Sequence, residues 1–329
     1  MDLIKAPAVI GFTLLLLTST AKAIDCGRAS SVVENTVCDK PELMWLDRVF
    51  VNAFSELQMR EPQHVNQIAK EMARERNTCV SDSCLRSAYL GGLSQLYDAD
   101  RQVDWQGVWW NVSAPHGNGG KIRISQLAGD EFNMDASVWG GVYRSSFSGK
   151  VTLSDGVGFT DKIVWGGGCS IVLIPRPDNR LEVSSDSHGR CDMLLPGKTS
   201  IDGVYVKADN DPRLPATLLT LGILPNKALD DRFRQLTGSD YAQYVATATS
   251  FVYSQDLDQF GATVLTLWVK GMANRQSAII MYTPEGKIWA LRVSPDTDNG
   301  VEVDYVTTEK DKETMPKTLQ AWRTLFTDR

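Results

Sequence analysis

Gly117-Asn118-Gly119-Gly120-Lys121-Ile122-Arg123-Ile124 sets a glycine-rich turn against a run in which polar and apolar residues alternate. Alternation with a period of two is the signature of a half-buried strand, and glycine supplies the positive-φ backbone of tight turns. The same grammar repeats downstream. Gly140-Gly141 and Gly166-Gly167-Gly168 punctuate Val142-Tyr143, Lys150-Val151-Thr152-Leu153, Ser170-Ile171-Val172-Leu173-Ile174 and Arg180-Leu181-Glu182-Val183. Short strands so spaced predict an antiparallel β-barrel or sandwich over residues 99–210. The glycines do not read as a phosphate cradle, because no lysine-ending P-loop accompanies them and no helix follows. Trp105, Trp109, Trp110, Trp139 and Trp165 either plug the core and barrel ends or line a ligand mouth, and the weight of aromatics in core burial favours the first.

Beyond Pro212 and Pro215 the pattern changes. Leu229 to Leu236 predicts a short helix stopped at Gly238, and Asp240 leads into Tyr241-Ala242-Gln243-Tyr244-Val245. Strands are expected at Val264–Val269, Ala278–Tyr282, Ile288–Val293 and Val301–Val306, with Thr283-Pro284-Glu285-Gly286 as a turn. Pro316 to Phe326 closes as a helix carrying Leu319, Trp322 and Phe326 on one face. Helices flanking an antiparallel sheet predict an α+β domain over residues 211–329.

Upstream, residues 24–98 change period again. Leu43, Leu46, Phe50, Ala53, Phe54 and Leu57 recur at helical spacing, with Asp39 and Glu42 placed as a capping box around Pro41. Pro62 restarts a helix with Val65, Ile68 and Met72 on one face, and Ser81 or Asp82 caps a third carrying Leu85, Tyr89, Leu93 and Leu96. The reading is a helical hairpin plus a trailing helix, too small to hold together without staples. In an antiparallel hairpin Cys38 lies near Cys79, and Cys26 and Cys84 fall just outside them. The expected bonds are therefore nested, Cys38–Cys79 within Cys26–Cys84, with closure of the 38–79 loop adding about 4 kcal/mol. Cys169 and Cys191 flank the best strand pair and are expected to cross-link it. The whole is a multidomain α+β chain.

Residues 1–23 set the compartment. Lys5 precedes an apolar run from Ala8 to Leu17, and Ala21-Lys22-Ala23 ends the segment as a small-x-small cleavage site. The run falls short of the about 20 apolar residues of a membrane span, and Asp25 before Cys26 does not suit a lipoprotein signal. The expected product is periplasmic or secreted, bacterial, without a stable membrane anchor. Its six cysteines all follow the signal, where disulfides are the default. No metal is expected, since Cys79 and Cys84 lack a matching second pair and His64, His116 and His188 are scattered. No cofactor is expected either. The net charge of −6 becomes about −7 once Lys5, Lys22 and Asp2 are removed, which argues against nucleic acid and is compatible with a basic protein partner or with solubility alone.

Two stretches resemble known families. Cys26-Gly27-Arg28-Ala29, Val33-Glu34-Asn35-Thr36-Val37-Cys38, Pro41-Glu42-Leu43 and Leu46-Asp47, followed by Arg74-Glu75-Arg76-Asn77-Thr78-Cys79, Cys84-Leu85 and Tyr89, resemble the LprI-type lysozyme-inhibitor family over residues 26–97. Where that family usually has a tryptophan, this chain reads Ala69-Lys70-Glu71-Met72. Phe233-Arg234-Gln235-Leu236, Tyr244-Val245, Val269-Lys270-Gly271-Met272 and Ser277-Ala278-Ile279-Ile280-Met281-Tyr282 are similar to the inhibitor of vertebrate lysozyme, whose sheet carries a protruding loop. That loop is a disulfide ring with a histidine. Here the stretch is Gly271-Met272-Ala273-Asn274-Arg275-Gln276-Ser277, with neither residue.

No enzyme motif stands out, and a catalytic carboxylate pair, which meets only in the fold, has no sequence signature to look for. None of the histidines stands near a nucleophile motif such as G-x-S-x-G, and the thiols can all pair. The resemblances imply an inhibitor that plugs the active cleft of lysozyme or a related peptidoglycan hydrolase, with residues 271–277 as contact and Arg275 as its charged probe. An ordinary hairpin loop is the rival reading of that stretch. An immunity or adaptor protein for another envelope partner, and a β domain that binds a small apolar ligand, are the alternative functions.

Overall fold

A computed structural model describes residues 22–187, 189–296 and 300–327. The expected signal over residues 1–23 thus lies outside the described residues except for Lys22 and Ala23, and so does His188. The chain divides into two compact units, Met1–Leu96 and Tyr97–Arg329. The boundary expected at 210/211 falls inside the second unit, which holds both sheets. Mixed α and antiparallel β structure is present as the patterning predicts.

The first unit has four helices among the described residues: α1 (Val32–Asp39), α2 (Pro41–Gln58), α3 (Pro62–Thr78) and α4 (Asp82–Leu96). Pro41 and Pro62 open α2 and α3 at positions where no amide hydrogen is needed. Leu43, Leu46, Phe50, Ala53 and Phe54 of α2 are buried together with Val65, Ile68 and Met72 of α3 and Leu85, Tyr89, Leu93 and Leu96 of α4. Two details differ from the sequence pattern. Asp39 belongs to α1 and does not cap α2, whose N-cap Lys40 makes no side-chain capping bond; Glu42 instead meets Arg86. The capping box is one helix earlier, where Ser31 accepts from the Glu34 amide and Glu34 accepts from the Ser31 amide at 3.0 Å.

The nested disulfides are overturned. Cys26 joins Cys38 and Cys79 joins Cys84, across sequence separations of 12 and 5. The hairpin does bring the two helix junctions together, but ion pairs bridge them: Lys40 Nζ lies 2.9 Å from Asp82 Oδ2, and the Arg86 guanidinium holds the Glu42 carboxylate at 2.5 and 3.0 Å. The additional helix α1 explains the difference, because it returns Cys38 to within a Cα distance of 5.6 Å of Cys26. Each bond staples its own junction, worth about 3 and about 2 kcal/mol by loop length. Cys169 pairs with Cys191, as their position around one strand pair predicts.

The second unit opens with eight strands: β1 (Gly107–Asn111), β2 (Asn118–Ala128), β3 (Glu131–Gly140), β4 (Tyr143–Ser154), β5 (Val157–Ile163), β6 (Ile171–Arg176), β7 (Arg180–Ser185) and β8 (Gly203–Lys207). Each pairs antiparallel with the next, and β1 pairs with β8 through Trp109↔Lys207, Trp110↔Val206 and Asn111↔Tyr205, which closes a barrel. Inward positions alternate along each strand, so Trp109, Ile122, Ile124, Phe132, Met134, Val138, Val151, Leu173, Leu181, Val183 and Tyr205 fill one core.

The chain continues through α5 (Lys227–Thr237), α6 (Tyr241–Thr247), β9 (Ser250–Ser254), β10 (Thr263–Trp268), β11 (Ser277–Tyr282), β12 (Ile288–Pro295), β13 (Val301–Thr307) and α7 (Lys317–Thr327). The strands form an antiparallel sheet in the order β13-β12-β11-β10-β9. Its register places Leu265, Ile280, Ala290 and Val306 side by side on one face, where Phe233, Tyr241 and Tyr244 from α5 and α6 pack. Val264, Ile279, Met281 and Leu291 line the opposite face under Leu319 and Trp322 of α7. Asp258 caps α7, accepting from the amides of Lys317 at 2.8 Å and Thr318 at 2.9 Å. Burial alone would raise this carboxyl, yet the bonds from Thr318 and Lys317 outweigh burial and hold it below the usual carboxylate range.

Gly92 of α4 sits where three helices meet: a Cβ there would lie 2.7 Å from Met72 Cγ and 2.8 Å from Phe50 Cε2. Alanine gains helix propensity of at most about 1 kcal/mol, whereas overpacking costs about 1–3 kcal/mol. Gly92→Ala is therefore expected to lower the denaturant midpoint of the helical unit, followed by far-UV circular dichroism; a raised midpoint would show that α4 is not packed this closely.

Candidate functional site

In an antiparallel barrel whose strands run in order, the connections after every odd strand emerge at the same end. Residues 112–117, 141–142, 164–170, 186–187 and 189–202 therefore share one rim. The 164–170 connection is a tight turn. Val164 N–H donates to Ser148 O at 2.8 Å, Gly166 N–H to Ile163 O at 2.9 Å and Cys169 N–H to Gly166 O at 2.8 Å. The bond from Cys169 to Cys191 then pins it to the connection between β7 and β8.

On this turn Trp165 stands at φ 61° with 89% of its surface exposed. Both properties run against ordinary folding preference. A bulky residue at positive φ is a backbone outlier that costs about 1–3 kcal/mol, and the indole gains nothing back by burial. Val164 and Met193 are exposed beside it, and Met193 sits directly on the turn, since a Cβ on Gly167 would lie 3.1 Å from its sulfur. The other tryptophans have conventional places. Trp105 and Trp109 belong to the barrel core, where the Trp109 indole donates to Trp105 O at 2.9 Å; Trp110 and Trp139 meet edge to face, each half-buried.

The 271–277 connection between β10 and β11 is folded onto itself. Met272 N–H donates to Val269 O at 2.8 Å, Gln276 N–H to Met272 O at 2.8 Å, Arg275 N–H to Met272 O at 3.0 Å and the Ser277 hydroxyl to Ala273 O. Its base is clamped to the barrel. Val142 N–H donates to Lys270 O at 3.3 Å, and Lys270 N–H donates to the Thr249 hydroxyl at 2.8 Å. Gly271, Ala273 and Asn274 are exposed, Met272, Arg275 and Gln276 half-buried, and Ser277 buried. Arg275 turns toward Gly300, donating to its carbonyl at 3.5 Å, so the charged probe expected at this tip is held against the sheet. The structure does not present the seven residues as one protruding surface.

The remaining titratable candidates are structural or isolated. His116 Nε2 is 2.9 Å from Val245 O and ties the rim to α6. His64 lies exposed on α3. Arg213 donates to Asn118 O at 2.8 Å and holds Asp211, whose carboxyl its guanidinium keeps below the usual range. Deep in the barrel, burial pushes the Tyr205 hydroxyl well above the normal tyrosine range, and it donates to Ile201 O at 2.6 Å. Among the described residues no group of three His, Cys, Asp or Glu is arranged to hold a metal, and no helix is long and apolar enough to cross a membrane. Compared with known proteins, the chain matches no family model and no curated protein.

Gly141 is a point of close contact between the barrel and the sheet domain. It adopts φ +60°, and a Cβ there would lie 2.3 Å from Lys270 O. Gly141→Ala is expected to cost about 2 kcal/mol or more, from positive φ and backbone overlap together. Hydrogen exchange at the Val142 and Lys270 amides should accelerate with it; unchanged protection of both would mean that the clamp is not formed here.

Proposed function

We propose that this chain is an exported protein-binding protein and not an enzyme, that it anchors its partner on Trp165, and that the partner is a lysozyme or related peptidoglycan hydrolase. The observation that carries the binding reading is the exposed, backbone-strained Trp165 on a turn pinned by Cys169–Cys191. Tryptophan is enriched at the energetic centres of interfaces. Covering about 200 Å² of indole at about 25 cal/mol per Å² is worth about 5 kcal/mol before the costs of association. A turn already held by a covalent bond loses little conformational freedom on binding, so more of that gain reaches the affinity.

Three features support the choice of partner and compartment. Residues 26–97 resemble the LprI-type family, the net charge of −6 favours encounter with basic enzymes, and three disulfides fit an oxidising compartment, the periplasm or the exterior. One observation favours a second reading, an immunity or adaptor protein for another envelope partner: the 271–277 loop is clamped to the barrel, unlike the protruding ring that the C-terminal resemblance implies. The apolar-ligand reading gains no support from a barrel whose interior is filled by its own side chains.

Purified protein added in excess to a cell-wall turbidity assay is expected to slow lysis by at least one of several lysozymes. Trp165→Ala should weaken that effect roughly 30-fold or more, the loss of an interface anchor, with an unchanged thermal midpoint. Undiminished lysis with every enzyme removes the partner assigned here, and full inhibition by Trp165→Ala removes the contact.

A further inference from the structure

Asp47 is a charged residue of α2 that folding removes from water, being only 3% exposed. A buried carboxylate must be compensated or it destabilises the fold. Its Oδ1 accepts from the Tyr89 hydroxyl at 2.9 Å and forms an ion pair with Arg76, whose Nη1 lies 3.7 Å away, too far for a hydrogen bond. Its Oδ2 accepts a single described bond, 2.8 Å from the main-chain nitrogen of Ile24. Ile24 is the residue that follows the Ala21-Lys22-Ala23 cleavage pattern.

We propose that Asp47 is the receptor for this protein's own processed amino terminus. Resting on the export reading above, hydrolysis of the Ala23–Ile24 bond by a signal-removing peptidase consumes one water. It leaves a carboxylate on Ala23 and an α-amino group on Ile24. That group ordinarily titrates at about 8 and takes a proton at neutral pH. The neutral amide donor on Oδ2 thereby becomes an ammonium, and a hydrogen bond charged on its acceptor alone becomes an ion pair charged on both sides, in a site shielded from water.

The surroundings are built for it. Cys26, two residues along, is bonded to Cys38 and fixes where Ile24 lies. Ile24 is half-buried, whereas Lys22 and Ala23 are exposed. Lys22 overhangs a cleft between α2 and α3 lined by Phe50, Asn66, Met72 and Arg76, and cleavage removes it from there. Because the unprocessed dipeptide fits without burial, processed and unprocessed forms differ at this site by charge and not by a steric obstacle. Processing then completes the core of the helical unit only after export.

The test compares the full chain beginning at Ile24 with the same chain retaining Lys22-Ala23, both oxidised, by thermal unfolding of the helical signal. The Ile24 form is expected to melt roughly 5–10 °C higher, and Asp47→Asn to abolish the difference. Equal midpoints for the two forms overturn the proposal, and if Asp47→Asn does not fold, acetylation of the Ile24 amine must reproduce the loss. Intact mass of the exported protein separates the two layers: a start elsewhere than Ile24 overturns the receptor, whereas an Ile24 start with equal midpoints refutes the ion pair and leaves export standing.

Discussion

The pairing of β1 with β8 is the constraint on which the second unit depends. A meander of eight strands left open would present two long edges of unpaired amides and carbonyls, and closure removes both. Closure also fixes which residues face inward, because Trp109 opposite Lys207 and Asn111 opposite Tyr205 leave one parity of side chains for the core. It gathers the connections after the odd strands at one end. The rigid rim so formed is what the sheet domain can clamp through Gly141, Val142 and Lys270, and what can hold a tryptophan in a conformation that the residue itself disfavours.

The helical unit solves a different problem. With few residues to bury, it relies on covalent staples and charge pairs at its edges. The staples are local, Cys26–Cys38 and Cys79–Cys84, and leave the cross-junction contact to Lys40–Asp82 and Arg86–Glu42. Arg86 and Glu42 are partly shielded from solvent and doubly bonded, so that pair contributes more than an exposed surface contact does. The segment before Cys26 is thereby held against α2, where the one buried carboxylate of that helix, Asp47, accepts from the Ile24 main-chain nitrogen.

Much of the core was legible because burial follows periodicity. Leu43, Leu46, Phe50, Val65, Ile68, Met72, Leu85 and Tyr89 are buried as their spacing predicts, and so is the alternation of Ile122 and Ile124. Misses occurred where two signals compete over a few residues. Asp39 and Glu42 imitate a capping box, but the true one begins at Ser31, and the helix it starts, α1, is what carries Cys38 back to Cys26. Strand β9 escaped because Ser250–Ser254 carries Phe251, Val252 and Tyr253 without alternation, as suits an exposed edge strand. Trp165 reads like its buried counterparts, since residue type alone does not distinguish a core indole from one on a strained turn; the neighbouring Gly166-Gly167-Gly168 is the local signal of such a turn.

The amino-acid pattern by itself determined the class of each segment, helical before residue 97 and antiparallel β with flanking helices after it, because hydrophobic period and turn chemistry act over short distances. It also determined that the cysteines are oxidised if the chain is exported, because their number is even and none has a metal-ligand context. Only the tertiary structure decided that the strands close into a barrel, which cysteine meets which, that Arg275 turns inward while Trp165 points out, and that Ile24 reaches Asp47. Each of those outcomes is a long-range or competitive contact. It depends on where distant parts of the chain arrive once their local structures have packed, and no window of sequence contains that information.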